Sequence, residues 1–238
     1  MDSLFASSNL DTLFQSKELS LFPTVYASER PDNICNGLMD KRVAVIVNGS
    51  PFVLMVPSLL NDFFRSPEDV YQWFSFGVFI RYLRYLSLLI SLCMPALYIS
   101  ITCYHQELIP TMLLTSIAAQ RQGIPFPVVF EVLVLEITYE ILREAGTRMP
   151  RIIGQSISIA GALVLGQAAV LAGFVSNVSL IVVSLTVISG FVSPIYSFGA
   201  RIRLFRYGLI ILGSILGLFG VFLAVAFLMI HLSRIEPF

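Results

Sequence analysis

Three glutamates, Glu131, Glu136 and Glu140, lie within the otherwise apolar stretch Val128–Arg143. A charged side chain is costly in hydrocarbon, so such residues face a helix-bundle interior or a watery cavity. Glu136 and Glu140 share one helical face with Glu144, whereas Glu131 lies nearly opposite. Carboxylates in that position would attract cations. The alternative is a surface helix whose acids are simply solvated.

Hydroxyl side chains form a second polar pattern in the apolar stretch that follows Asn177. They are Ser179, Thr186, Ser189 and Ser193, and their spacing of seven, three and four residues puts them on one helical face. Oxygen atoms along one face can replace the water around a passing cation. The alternative is that each hydroxyl bonds the preceding turn of its own helix.

These hydroxyls belong to a long uncharged stretch, Ile152–Ala200, which contains no Asp, Glu, Lys, Arg or His. A bilayer core needs roughly 20 apolar residues per helix. The stretch is therefore long enough for two spans joined by a tight turn at Phe174–Asn177. We predict a transmembrane hairpin with arms at about Ile153–Gly173 and Val178–Ser193.

Small residues recur at helical spacing in two apolar segments, and such spacing lets helix backbones approach closely in a membrane. In the first hairpin arm they are Gly154, Ser158, Ala162 and Gly166. In the last apolar segment, Tyr207–Ile230, they include Gly213 and Gly217. We expect both sets to form helix contacts.

The composition indicates an integral membrane protein that is mainly α-helical and crosses the bilayer several times. Hydrophobic residues make up 56% of the chain, charged residues 13%, and the mean hydropathy is +0.83. A soluble domain has roughly 25% charged residues. No basic patch suggests nucleic acid. There is no HExxH, GxSxG or Gly-rich phosphate loop, so we expect neither an enzyme nor a bound cofactor or metal.

The N-terminal part has a different character and predicts a small α/β piece. Arg42–Val47 and Pro51–Val56 read as two strands, and Asn48–Gly49 between them is a strong signal for a type I′ hairpin. Pro31–Asp40 could form a short helix. Because a piece of this size cannot hold its own core, we expect residues 1–65 to end a larger cytosolic domain.

A helix start follows at Ser66–Asp69, where a serine cap, a proline and two acids come in succession. Residues 66–84 are rich in aromatics and end with Arg81 and Arg84, as in a linker helix at a membrane surface. The membrane domain is predicted over residues 85–232, beginning with a span at Tyr85–Tyr104 that Pro95 would kink. Residues 233–238 form a short tail.

Arginines at the ends of the apolar segments predict the orientation in the membrane. If the stretch from Val128 to Ile141 crosses the bilayer, three clusters all lie on the cytoplasmic side. The clusters are Arg81 and Arg84; Arg143, Arg148 and Arg151; and Arg201, Arg203 and Arg206. This reading gives five crossings.

Six stretches together resemble the GerA family of spore germination proteins. They are Phe22–Asp32, Arg42–Pro57 (RVAVIVNGSPFVLMVP), Ser66–Asp69 (SPED), Ser116–Pro127 (SIAAQRQGIPFP), Glu140–Gly146 (EILREAG) and Gly154–Ala169 (GQSISIAGALVLGQAA). The resemblance implies a protein of the spore inner membrane that forms a receptor complex with B and C subunits. It also implies an A subunit that oligomerises as a nutrient-gated cation channel.

The resemblance further implies a longer cytosolic part before this chain and a cytosolic extension after it. A cytosolic C-terminus needs an even number of crossings, so one segment, within residues 111–142, is expected to re-enter the membrane. In this frame the three glutamates and four hydroxyls become candidates for an ion pathway. The alternatives are a secondary transporter, a non-conducting assembly subunit or fragment, and acids that merely pair with Arg143 or Arg148.

Overall fold

The computed structural model of the chain describes residues 25–64, 69, 71–148, 164–192 and 196–234. The chain divides into two compact units. The first combines the residues up to Leu88 with Phe191–Ile202 and Phe227–Phe238. The second combines Leu89–Gly190 with Arg203–Ala226, and it holds the candidate site.

A small antiparallel sheet forms the N-terminal part of the first unit. Strand β1 is Tyr26–Ser28, helix α1 is Pro31–Met39, β2 is Val43–Ile46 and β3 is Val53–Val56. The strand order is β1-β3-β2, and both pairings are antiparallel. The predicted helix and two strands are confirmed. β1 was not predicted, because three residues are too few to show a period.

The connection between β2 and β3 differs from the predicted turn. The N–H of Ser50 donates to the carbonyl of Val47 at 3.1 Å, so Asn48 and Gly49 are the central turn residues. Gly49 has φ 87°. Asn48 does not have a positive φ, since Lys41 is the only described residue other than glycine that does. A type I′ turn needs positive φ at both central residues. The type I′ prediction is therefore wrong, and positive φ at the second position alone is the type II pattern.

The core of the first unit is built on β3, whose Leu54 and Met55 are buried. Phe63 stacks on Phe198 with ring centroids 5.1 Å apart. Beside them, both terminal nitrogens of Arg42 pair with Asp62. The hydrogen bond to Asp62 raises the pKa of the Arg42 guanidinium above its usual value. These contacts tie the chain that follows β3 back to the sheet.

The rest of the described chain is helical. The helices are α2 (Phe74–Tyr104), α3 (Thr111–Arg121), α4 (Val128–Arg148), α5 (residues 164–171), α6 (Asn177–Gly190), α7 (Tyr196–Leu216) and α8 (Leu218–Arg234). Helix α2 begins at Phe74, and residues 71–73 before it are not helical, so the predicted helix start at Ser66–Asp69 does not begin this helix. From Phe74 the helix runs without interruption through the predicted span and contains Pro95. The predicted break between α3 and α4 is confirmed.

The turn of the predicted hairpin ends α5 in the expected place. The N–H of Phe174 bonds the carbonyl of Ala169, and the N–H of Gly173 bonds that of Val170. Gly173 has φ 71°, which completes a Schellman motif. Glycine is required here because this left-handed conformation is costly for other residues. Residues 149–163 of the first arm lie outside the described part of the chain.

The last apolar segment, Tyr207–Ile230, is divided between two helices. Gly217 has φ 65° and separates α7 from α8. A Cβ on Gly213 would lie 3.1 Å from a methyl of Val221, although a straight helix would separate these residues by about 12 Å along its axis. The chain therefore bends sharply at Gly217. The small residues do not share one straight helical face.

Candidate functional site

Helix α4 buries two of its acids and exposes several large apolar side chains. Glu131 and Glu136 are each only 1% exposed, whereas Ile137 is 50% and Ile141 63% exposed. A helix on the surface of a water-soluble domain shows the opposite pattern. The prediction that the acids face an interior holds for Glu131 and Glu136, and their charges must be balanced there.

Glu131 is balanced by the start of helix α6. Its Oε2 accepts hydrogen bonds from the N–H of Ser176 and from Oγ of Ser179, both at 3.0 Å. Its other oxygen lies 3.2 Å from Nη2 of Arg121, which is the last residue of α3. One buried carboxylate therefore joins α3, α4 and α6.

The geometry around Ser176 is that of a helix cap. The N–H of Ser179 donates to Oγ of Ser176 at 3.1 Å, as at a serine N-cap. The carboxylate of Glu131 also lies at the positive end of the α6 dipole, where a negative charge is stabilised. Tyr98 of α2 extends the cluster, because its hydroxyl lies 3.2 Å from Oγ of Ser179.

Glu136 is balanced by Arg206 of α7. Oε2 of Glu136 lies 2.6 Å from Nη2 of Arg206, and both side chains are buried. Nη1 of Arg206 also donates to the backbone carbonyl of Ser91 in α2, at 3.4 Å. This pair thus connects α2, α4 and α7. Removing one partner of a buried pair costs about 3–5 kcal/mol, because the other charge is left uncompensated.

Glu140 lies one turn further along α4 and is more accessible. Its side chain is 40% exposed and accepts a hydrogen bond from Nε of Arg203 at 3.1 Å. Arg143 lies 4.0 Å away. The acids therefore pair with arginines from other helices. Among the contacts of the described residues, Glu140 also has a weaker second contact along α4, with Arg143.

The hydroxyls of α6 point into the second unit. Ser179, Thr186 and Ser189 are buried. On the opposite face, Ile181, Leu185 and Ile188 are exposed. Helix α6 therefore resembles α4 in burying polar side chains and exposing large apolar ones. Oγ1 of Thr186 donates to the carbonyl of Val182 at 2.8 Å, as the alternative reading expected. Its lone pairs stay available to other groups. Ser193 lies outside the described residues.

Glu131 with its partners and the Glu136–Arg206 pair form two buried polar clusters within a single chain, and we call them, together with the buried hydroxyls of Thr186 and Ser189, the polar column. At one end lie Glu131 and its partners, and Ser189 and the Glu136–Arg206 pair lie further along α6 and α4. Oγ of Ser91 is 3.2 Å from the position that a Cβ on Gly190 would take, so α2 lines this part of the column. Within the described part of the chain, His, Cys, Asp and Glu nowhere group in threes as a metal site requires.

Comparison with known families gives this architecture a context. The family model described as Bacillus/Clostridium GerA spore germination protein matches residues 1–238. The chain belongs to the GerA family. The predicted resemblance is confirmed, and the match extends over the whole of the sequence.

Curated relatives of this GerA-family chain carry spore germination names. Spore germination protein KA of Bacillus subtilis is 45% identical over 238 residues, which is all of this chain and 44% of that protein. Spore germination protein A1 of the same organism is 40% identical over 238 residues, all of this chain and 49% of that protein. GerLA of Bacillus cereus is 39% identical over 234 residues, 98% of this chain and 48% of that protein.

The GerA-family chain thus spans about half the length of these relatives. No solved structure matches it.

The sequence does not predict which residues pair with the acids of this chain. The sequence predicts only a role in orientation for Arg206, and it does not single out Arg121, Tyr98 or Ser176. A buried acid in an apolar segment does imply a cationic partner, but the sequence alone does not choose among the arginines.

Of the small residues that the sequence predicts to form helix contacts, some lie outside the described residues and the others lie at close contacts between helices. Gly154, Ser158 and Ala162 lie outside the described residues. A Cβ on Gly166 would lie 2.9 Å from Leu180 of α6, so this glycine permits the packing of the hairpin arms. A Cβ on Gly213 would lie 3.3 Å from the carbonyl of Ala96, and one on Gly217 would lie 3.2 Å from Tyr104. Both of these glycines therefore permit α2 to approach.

Proposed function

We propose that this chain is the membrane region of an A-type subunit of a spore germinant receptor, located in the spore inner membrane. Family membership and the names of its relatives support a role in germination. The observation that carries the membrane assignment is the inverted burial of α4 and α6. Both helices place acids or hydroxyls inside and large apolar side chains outside.

Several crossings of the bilayer are part of this proposal. Among the described helices, α2 is long and apolar enough to cross, with a mean hydropathy of 2.0 over its most apolar part. Helices α6 and α8 are apolar but shorter. The exposed apolar faces of α4 and α6 support their contact with lipid or with neighbouring subunits. The predicted arginine clusters would then lie on the cytoplasmic side.

We further propose that the subunit assembles with B and C subunits, oligomerises with copies of itself and forms or gates a cation channel. Because Ser179, Thr186 and Ser189 point into their own chain, the proposed pathway runs within one chain. The polar column between α2, α4 and α6 is the proposed route. Its carboxylate, hydroxyl and phenol oxygens supply the ligands that a dehydrated cation needs.

A comparison of two threonines tests this route. Thr186→Val removes an oxygen from the column with little change in volume. Thr138→Val is the matched control, because Thr138 makes the same bond to its own helix, at 2.7 Å to Val134, away from the column. In planar-bilayer recordings of the whole receptor complex, we expect Thr186→Val to lower the conductance and Thr138→Val to leave it unchanged. Equal conductance in all three proteins would exclude Thr186 from the route.

A non-conducting assembly subunit is the second candidate. The observation that favours it is the neutralisation of Glu131 and Glu136 by Arg121 and Arg206 within the chain. A column whose charges are already balanced can serve purely to join helices. Absence of any current from a correctly assembled wild-type complex would favour this candidate over the channel.

A further inference from the structure

A proline in α2 leaves one backbone carbonyl without its usual partner. Pro95 has no N–H, so the carbonyl of Ser91, four residues earlier, cannot make the regular helical hydrogen bond. Ser91 is only 2% exposed, so water does not replace that bond freely. The donor that takes this place is Nη1 of Arg206, at 3.4 Å.

The same guanidinium lies against Glu136, but the two groups are poorly aligned. Nη2 of Arg206 is 2.6 Å from Oε2 of Glu136. Within the described residues, neither oxygen of Glu136 makes an aligned hydrogen bond, and Nε of Arg206 has no acceptor. An arginine fitted to a carboxylate normally forms two parallel hydrogen bonds. Charge, more than hydrogen-bond geometry, therefore holds Arg206 in this place.

Carboxylate oxygens and backbone carbonyl oxygens freed from helical hydrogen bonds are the ligands that coordinate cations inside membrane proteins. We propose that Glu136 and the carbonyl of Ser91 form a cation-binding site, and that the guanidinium of Arg206 is its tethered occupant. When Arg206 is withdrawn, the site takes a free monovalent cation of guanidinium or ammonium type. While Arg206 is in place, its guanidinium occupies the site beside Glu136, and free cations do not bind there.

The neighbouring pair shows why this site is distinct. Glu140 and Arg203 also join α4 to α7, but the Glu140 side chain is 40% exposed and its pair is aligned, with Nε donating at 3.1 Å. Water can screen Glu140 if Arg203 is lost. Glu136 is buried, so the loss of Arg206 leaves a charge that another cation must balance or a proton must remove. The site requires no conduction by the complex and is testable even if the channel proposal fails.

The experiment replaces the tethered cation with a free one. Arg206→Ala opens a space of about the size of a guanidinium, and methylguanidinium at millimolar concentration is the probe, with ammonium and potassium tested separately. A ligand that binds only the native state raises the Tm in a saturable manner. We expect Arg206→Ala to have a lowered Tm that methylguanidinium restores in large part. Arg203→Ala and the double variant Glu136→Leu/Arg206→Leu should show no such response.

The outcomes separate the alternatives. A Tm of Arg206→Ala that is insensitive to every cation would overturn the proposal. An equal rise in Arg203→Ala or in the double variant would also overturn it, since the effect would not require Glu136. If Arg206→Ala accumulates only when methylguanidinium is present during purification, that result supports the proposal, because the free cation then replaces the Arg206 side chain. Failure to accumulate under both conditions would count against the site, because a free cation then cannot replace Arg206.

Discussion

The N–H of Ser176 donates a 3.0 Å hydrogen bond to the buried carboxylate of Glu131. This contact connects the first turn of α6 with the first turn of α4. It places a negative charge at the positive end of the α6 dipole, and Arg121 balances that charge from α3. The start of the hydroxyl-bearing helix is therefore positioned by a side chain that lies 45 residues earlier in the chain.

We expect Glu131→Gln to destabilise the protein by about 3 kcal/mol. The neutral amide leaves Arg121 without its counter-charge, and the amide can accept at only one of its two terminal atoms. Thermal unfolding of the purified protein in detergent measures the change. Glu107→Gln is the control, because Glu107 is exposed. A Tm for Glu131→Gln equal to that of the control would show that the cluster does not stabilise the fold.

A larger side chain at Gly166 should separate the arms of the hairpin. Even a Cβ there would come within 2.9 Å of the Leu180 side chain, so Gly166→Leu requires Leu180 to move and crowds the contact between α5 and α6. We expect a lower Tm and a lower yield of the assembled receptor. Gly208→Leu is the matched control, since nothing lies within 4 Å of a Cβ on Gly208. Normal stability and assembly of Gly166→Leu would mean that the arms do not pack through this contact.

The bend at Gly217 gives a prediction with opposite signs at two glycines. Gly217→Ala should destabilise by about 1–2 kcal/mol, because φ 65° is strained for alanine and Tyr104 lies 3.2 Å from the new methyl group. Gly208→Ala, in open space on α7, should stabilise by up to about 1 kcal/mol. Both effects are measured as shifts of Tm. A neutral Gly217→Ala would indicate that the helix continues through this position.

The orientation of the membrane region is testable by cysteine labelling. In a background without the three native cysteines, Leu83→Cys, Glu144→Cys and Leu204→Cys lie beside the arginine clusters and should be protected from an impermeant reagent added to intact cells. Phe174→Cys, at the exposed turn of the hairpin, should be labelled and serves as the positive control. Strong labelling at residue 144 or 204 would reject the proposed orientation.

Glu140 is the acid that a passing cation would reach most easily, since its side chain is 40% exposed. Under the channel proposal, Glu140→Gln should reduce cation selectivity, because one negative charge near the end of the polar column is lost. Reversal potentials in planar bilayers measure this change, with Glu107→Gln as the control. Expression and Tm must match the wild type. Unchanged selectivity in folded protein would place Glu140 in a purely structural role with Arg203.

Local sequence determined many elements of this fold. The glycine after α5 and the Gly123–Pro127 break between α3 and α4 act through the backbone of a few neighbouring residues. Their consequences therefore appear directly in the sequence pattern. The same holds for the inward position of Glu131 and Glu136, because an acid in an apolar stretch has only a few environments that it tolerates. The misread turn at Asn48 shows the limit, since the loop geometry also depends on how β2 and β3 pair.

Only the tertiary structure decided which partners meet. Glu136 had several arginines within reach by sequence, and the packing of α4 against α7 selected Arg206. The break at Gly217 depends on contacts from α2, where Tyr104 donates to the carbonyl of Ser214 at 2.5 Å near the end of α7. The direction of the hydroxyl face was likewise open, because a periodic pattern defines a face but not what covers it. Long-range packing settles such choices, since the energies involved belong to pairs of residues that are distant in the chain.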